Sequence, residues 1–352
     1  MARAGVSRVL PWVGMSRSGV GIGATVGRAR NRALRRLARV SSRVVRGLPG
    51  GDRAQRFLLQ RMWERLPSGM LDQYLVSGYQ NPAINVQSIL LRHFLIRRLF
   101  GDVFDDVMDE EISFAIELNE TLRRRALELG VTMGSYTDQV RHAQVARVEE
   151  AIAGRDTVFA ERWATILADR RADPISVLEF ACGSANDYRA FADHGLARFL
   201  EYTGVDLTTK NIANARRRFS GVRFEVGDVT SLRYPDGAFD CVIASDVFEH
   251  LPVDGMERAL AQAARLARSA VVLTFFSMAD IPDHIDRPKG AYHWNRLSRP
   301  RVEAQLRTHF PVLTATPIAP WLAAEYGYPH SYNRNAWTIT AERPPGIARP
   351  VD

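Results

Sequence analysis

The sequence is short of several things, and each shortage narrows its reading. Only two cysteines, Cys182 and Cys241, occur in 352 residues. A disulfide scaffold is therefore excluded and zinc-finger spacing is absent. The pair reads as two reduced, buried small residues. No run of about 18 apolar residues exists, so no membrane-spanning helix is expected. The longest apolar stretches, such as 270–276, have strand length. Lysine is almost missing: Lys210 and Lys289 are the only two, and arginine carries the remaining positive charge.

Acids are almost missing from the first part of the chain. Residues 1–56 hold 13 arginines and a single acid, Asp52. That segment carries +12 and the remainder −4, which together make the formal net charge of +8. The basic character therefore belongs to a tail. A slightly acidic body does not suit a phosphate backbone, so no specific nucleic-acid partner is expected.

Within the tail, residues 1–26 have no period and are expected to be disordered. From 27 to 48 a helical pattern emerges. Leu34, Leu37, Val44, Val45 and Leu48 fall near one face, with Arg35, Arg36, Arg39, Arg43 and Arg46 mostly elsewhere. The stretch "GLPGG" then stops it. Such a helix fits an anionic membrane surface; a targeting peptide and a solvated tail fit as well. Residues 1–51 form this tail. Residues 52–171 read as helical, a cap over a substrate site or a homodimer interface. Asn81-Pro82 starts a turn within it, and a Thr-Asp pair at 137–138 reads as a helix cap.

From Ile175 onward strand-like and helical runs alternate. "ISVLEF", "LEYTGVDL", "VRFEVGDV", "FDCVIASDVF", "SAVVLTFF", "PVLTATPI" and "AWTITAER" read as strands, with helices between most of them. This predicts an α/β fold: a doubly wound, mostly parallel, seven-stranded Rossmann-like sheet preceded by a helical region. Ligands of such sheets bind beyond the carboxyl ends of the strands. Four acids stand there: Glu179, then Asp206 27 residues on, Asp228 after 22 more, and Asp246 after 18 more. A single strand-end acid can be a helix cap. Four in succession at the ligand edge point to a site.

The stretches "LEFACGSA", "YTGVDL", "FEVGDV" and "FDCVIASDVFEHLP" together resemble the class I S-adenosylmethionine-dependent methyltransferases, over residues 172–345, with 346–352 as a C-terminal tail. The resemblance implies S-adenosyl-L-methionine as cofactor. It gives the ribose hydroxyls to Asp206, the adenine amino group to Asp228 and a ring contact to Val229. Leu207 lies beside them. It gives the methionine end to Glu179 and the loop with Ala181, Cys182 and Gly183, with Ser245 and Asp246 on the other side. Small residues suit this loop because backbone must come close to the ligand.

The loop departs from the family's Gly-x-Gly-x-Gly. Ala181 and Ala185 replace the outer glycines. Alanine resists φ > 0, so the loop is expected to run in ordinary dihedrals there. A dinucleotide site is disfavoured, because "ACGSAN" lacks G-x-G-x-x-G.

Methyl transfer needs alignment and water exclusion, and a base when the acceptor is a hydroxyl. His250 and His293 are the candidate catalytic residues. Tyr292, Trp294, Asn295 and Tyr328 are the candidate substrate-binding residues; Asn295 and Ser298 equally suit fixing a turn. The stretch after strand five reads as a long loop without regular pattern. Trp321, Tyr326, Tyr328, His330 and Tyr332 read as an aromatic loop. No metal site is assigned. The expected acceptor is a small molecule, a glycan or a lipid-linked compound, methylated at oxygen. The competing expectation is a non-catalytic S-adenosylmethionine-binding or scaffold protein at a membrane surface. A cytoplasmic protein is expected, with membrane-surface contact through the tail as one alternative and a solvated tail as the other.

Overall fold

The computed structural model describes residues 81–128, 150–290, 292–330 and 333–344. The arginine-rich tail with its amphipathic pattern, the Thr-Asp cap at 137–138 and Tyr332 lie outside the described residues.

Helix α1 (Val86–Phe100) starts where the Asn85 side chain accepts from the amides of Gln87 and Ser88 at 2.9 and 3.3 Å. It stops at Gly101, whose φ of 68° suits glycine. A short 3-10 turn leads into α2 (Asp105–Glu128), and α3 (Val158–Leu167) follows. Seven strands then form one sheet: β1 (Ile175–Phe180), β2 (Leu200–Asp206), β3 (Arg223–Val226), β4 (Phe239–Ser245), β5 (Ala267–Phe275), β6 (Val312–Pro317) and β7 (Trp337–Glu342). Helices α4 (Asn186–Asp193), α5 (Thr209–Arg218), α6 (Val253–Leu266), α7 (Arg299–Arg307) and α8 (Ile318–Tyr326) lie between them.

The strand order is β6-β7-β5-β4-β1-β2-β3. Strands β1 to β5 are parallel to their neighbours among themselves, and β7 runs antiparallel to both β5 and β6. Helices cover both faces, so the central strands need apolar residues on both sides. Val177, Leu178 and Phe180 of β1 and Val271, Val272 and Leu273 of β5 are fully buried. The chain builds outward from β1 in one direction, then from β4 in the other. The crevice opens at the carboxyl ends of these two strands.

Helices α6 and α7 cover one face through Met256, Leu260, Val302 and Leu306. The other face takes α4 and α5, and α1 and α3 join them: Leu91, Leu95, Phe159 and Trp163 pack in one cluster with Val177, Ile243 and Val272. The helical region therefore shares a core with the sheet. One buried carboxylate ties it there. Glu111 of α2 accepts from Arg92 (2.7 Å) and Trp163 (2.7 Å), and pairs with His93 at 2.9 Å. His194, just after α4, approaches it to 3.6 Å.

Two expectations about loops are corrected. The aromatic stretch beginning at Trp321 is partly helical. Ile318 and Leu322, four residues apart, are buried against Val86, Ile89, Ile112 and Ala115, so burial of one face forms α8. The segment after β5 is folded back on itself: Met278–Ala279 pairs with Leu297–Ser298, and Pro288–Lys289 with Tyr292–His293.

Candidate functional site

The site is built from the ends of β1, β2 and β4. Beyond β1, the loop 181–185 makes a tight path. The Cys182 amide donates to Val205 O at 3.0 Å, and the Ala185 amide to Cys182 O at 2.9 Å. Ala181, Gly183 and Ala185 have φ of 53°, 56° and 64°. The expectation of ordinary dihedrals is thus wrong. Both alanines take the left-handed conformation of the glycines they replace. Each costs about 1–2 kcal/mol relative to glycine, and the surrounding hydrogen bonds hold them there. Close packing adds to this: a Cβ on Gly204 of β2 would lie 2.8 Å from Cys182 Sγ.

Asp206 closes β2 and clamps the loop. Its Oδ2 accepts from the Gly183 amide at 3.0 Å. Its Oδ1 accepts from the Thr208 amide and hydroxyl, both at 2.8 Å, and from Asn211 at 3.2 Å. Burial raises its pKa, and these donors oppose the rise. Asp228, beyond β3, repeats the pattern: Oδ1 accepts from the Thr230 amide at 2.9 Å and hydroxyl at 2.8 Å. The repeated Asp-x-Thr pins one oxygen of each carboxylate to its own chain. The Gly227 amide donates to Asp206 O at 3.0 Å, joining the two turns. Leu207 is half-buried and Val229 buried beside them.

Four more acids, Glu179, Asp187, Asp246 and Glu249, join Asp206 around the loop and the turn after β4. Glu179 is buried and accepts from the Tyr202 hydroxyl. Burial holds it well above the usual carboxylate range, and Asp187 and Asp206 add to the rise. Asp187, in the first turn of α4, accepts from Ser245 Oγ at 3.0 Å and from Ser88 of α1. Burial raises it too, opposed by these bonds and by Arg92. Asp246 follows β4 with φ of 49°. The residue is partly exposed, yet its Oδ1 is buried without a hydrogen bond. Burial and Glu249 push it up to about 7. Glu249 is fully buried; its Oε1 accepts from the Phe276 and Ser277 amides, and its Oε2 has no partner. Burial pushes Glu249 to about 7 as well. Five crowded carboxylates, with Arg92 and His250 as the cations or potential cations acting on them, suit a cationic ligand. The donor set therefore fits a sulfonium bearing an α-ammonium group, and not a diphosphate.

His250 stands on the same turn. Its Nδ1 donates to His293 O at 3.0 Å, because a carbonyl can only accept. Nε2 is thereby the unprotonated nitrogen of a neutral ring. Burial lowers the pKa of His250. The ring meets Tyr292 edge-on at 5.9 Å and Trp294 at 5.4 Å, and Trp294 meets Phe276 at 5.6 Å. All four rings are half-buried.

Two expected roles change. The His293 ring is 1% exposed and its Nδ1 pairs with Asp286 at 2.6 Å. It cannot meet an acceptor; its part is to orient His250 through its carbonyl. Asn295 is fully buried, and its side chain is spent on backbone, accepting from the Arg287 amide and donating to Leu251 O, both at 2.8 Å. It fixes the turn and does not bind substrate. Ser298 likewise caps α7. Tyr328 packs with the α1–α2–α8 cluster rather than among the His250 rings, and burial pushes its hydroxyl up to about 12.

Sequence reasoning missed Asp187, Thr208, Thr230 and Ser88. The repeated Asp-x-Thr was a readable signal. Nothing in the sequence marked Ser88, which lies 99 residues from its partner Asp187.

Residues 177–270 match the model of a methyltransferase domain. The chain is 30% identical over 134 residues to a probable chloroplastic tocopherol O-methyltransferase of Oryza sativa, covering 36% of this chain and 34% of that protein. It is 31% identical over 122 residues to a 2-heptyl-1-hydroxyquinolin-4(1H)-one methyltransferase of Mycobacteroides abscessus, covering 32% and 51%. The chain thus spans about a third to a half of the curated relatives it matches. A solved methyltransferase of Mesorhizobium loti aligns with 52% of this chain and 98% of its own, at 16% identity and a TM-score of 0.38. No helix among the described residues is long and apolar enough to cross a membrane. Residues 177–270 thus match a methyltransferase domain, and they lie in a sheet with acids along its carboxyl edge.

Proposed function

We propose that this protein is an S-adenosylmethionine-dependent methyltransferase that methylates an oxygen of a small-molecule, glycan or lipid-linked acceptor. The observation that carries the reading is the clamp of the loop by Asp206 within a group of buried carboxylates. In it, Asp206 would hold the ribose hydroxyls, and Asp228 with the Val229 backbone the adenine. Glu179, the loop 181–183, Ser245 and Asp246 would hold the methionine end. When bound, the cofactor supplies a methyl carbon activated by its sulfonium.

The chain's own residues supply alignment, dryness and a base. Gln87 of α1 donates to Trp337 O at 2.8 Å and Phe275 O at 3.4 Å, which seats α1 over the carboxyl edge of β5 and toward β7. Ser88 on the same helix reaches Asp187. The helix thereby shields the loop from water, which strengthens electrostatics within. His250 Nε2 accepts the acceptor's proton, and burial keeps the ring neutral for that task. The faces and edges of Tyr292, Trp294 and Phe276 offer walls for a flat acceptor. A neutral imidazole is what a hydroxyl acceptor needs, which supports oxygen as the methylated atom.

The test is transfer of labelled methyl from S-adenosylmethionine to a panel of hydroxylated aromatic, glycan and lipid-linked acceptors. Incorporation that falls at least about 100-fold in His250→Asn supports the reading. Transfer to amines but to no hydroxyl would overturn the oxygen assignment, and no transfer at all would favour a binding role.

A further inference from the structure

The turn after β4 holds two carboxylates that hydrogen bonding does not satisfy. Asp246 Oδ1 and Glu249 Oε2 are both buried without a partner. The groups facing Asp246 are Glu249 and His250 on its own turn, Asp187 from α4 and Thr274 from β5. Glu249 faces the amides of Phe276 and Ser277. Two acids three residues apart, each with an unpartnered oxygen out of water and with Asp187 acting on Asp246, cannot both ionise cheaply unless a cation is near. His250 is the only basic group among those neighbours, and its own ring is held neutral.

Methyl transfer to a hydroxyl moves exactly one positive charge. A carbon–oxygen bond forms, the carbon–sulfur bond breaks, and its electron pair stays on sulfur. The hydroxyl proton leaves for His250 Nε2, so the charge lost at sulfur reappears as a proton.

We propose that the Asp246–Glu249 pair is a proton store matched to the cofactor's charge: it holds one proton in the free protein, releases it when the sulfonium form binds, and regains one from His250 when that charge is lost. This rests on the cofactor assignment above. The near-neutral titration of both carboxylates supports the geometry. Because the two groups interact, the proton belongs to the pair. Asp246 adopts φ of 49°, a conformation that asparagine also tolerates, so Asp246→Asn removes the titration with little change of backbone.

The experiment is calorimetric titration of the full chain with S-adenosylmethionine and with S-adenosylhomocysteine, at pH 7, in two buffers of different ionisation enthalpy. The sulfonium form is expected to release about half to one proton more than the thioether form. The difference is expected to fade by pH 9, where the pair is already ionised, and to shrink in Asp246→Asn. Equal proton exchange for both ligands at pH 7 in the wild-type chain overturns the proposal without need of any variant. Failure of both ligands to bind overturns the cofactor assignment instead.

Discussion

The backbone amide of Gly183 donates to Oδ2 of Asp206 across 3.0 Å, joining the loop after β1 to the end of β2. Both ends of the cofactor's nucleoside would depend on this bond: it fixes where the loop lies and which way the carboxylate points. Replacing Asp206 with alanine leaves the amides of Gly183 and Thr208 and the side chain of Asn211 without their acceptor. S-adenosylmethionine affinity is expected to fall about 100-fold, and stability by about 1–3 kcal/mol. Calorimetry and thermal melting measure both.

Gly204 tests the packing behind that bond. A methyl group there would lie 2.8 Å from both Cys182 Sγ and a Phe224 ring carbon. Gly204→Ala is expected to lose about 1–3 kcal/mol of stability by overpacking and to weaken cofactor binding as the loop is pushed outward. A variant with unchanged melting would show that the loop yields freely.

The two alanines offer the opposite experiment. Glycine at Ala185 relieves a φ of 64° but loosens the unfolded chain. The two effects nearly cancel, so Ala185→Gly is expected to leave stability unchanged or raise it by up to about 1 kcal/mol. Ala259→Gly, within helix α6, is expected to lose about 1 kcal/mol. Equal losses at the two sites would contradict the left-handed loop.

These alanines also mark where the sequence could and could not be read. The alternation of apolar runs and helices showed the sheet and its strand-end acids, because a fully covered parallel sheet demands continuous buried strands. Reading Ala181 and Ala185 as ordinary dihedrals failed because local preference was overridden by the bond from the Cys182 amide to Val205 O, 23 residues away, and by the bond from the Ala185 amide to Cys182 O within the loop. Asn295 and His293 were read as site residues because polar side chains on a loop look available. Burial and backbone partners decided otherwise, and those are tertiary facts. Helix α8 was hidden because its two buried residues, Ile318 and Leu322, face a partner more than 190 residues earlier.

Glu111 predicts a pH effect. Burial alone would raise its pKa, but Arg92, His194 and His93 hold it well below the usual carboxylate range. A depressed folded value means stability that is present above the ordinary carboxylate pKa and lost as pH falls through the folded one. Acid titration of the wild type should show this loss. Glu111→Ala leaves Arg92 buried and unpaired and is expected to lose about 3–5 kcal/mol. Because Ser88 and Arg92 of the same helix act on Asp187, cofactor affinity should fall with it.

His250 sets the pH profile of turnover. It must be neutral to accept a proton, and its pKa is lowered by burial. The rate is therefore expected to rise with pH and level off with a midpoint below 6.5, the ordinary histidine value. His250→Asn should abolish that limb and reduce turnover by about 100-fold or more, with S-adenosylmethionine affinity within about twofold.

The central claim is that the carboxyl edge of this sheet binds S-adenosylmethionine through Asp206. Calorimetric titration of the wild-type chain and Asp206→Ala with S-adenosylmethionine tests it most directly. The account predicts one site per chain in the wild type, with affinity about 100-fold weaker in the variant. No binding by the wild type, or equal binding by both, would contradict it.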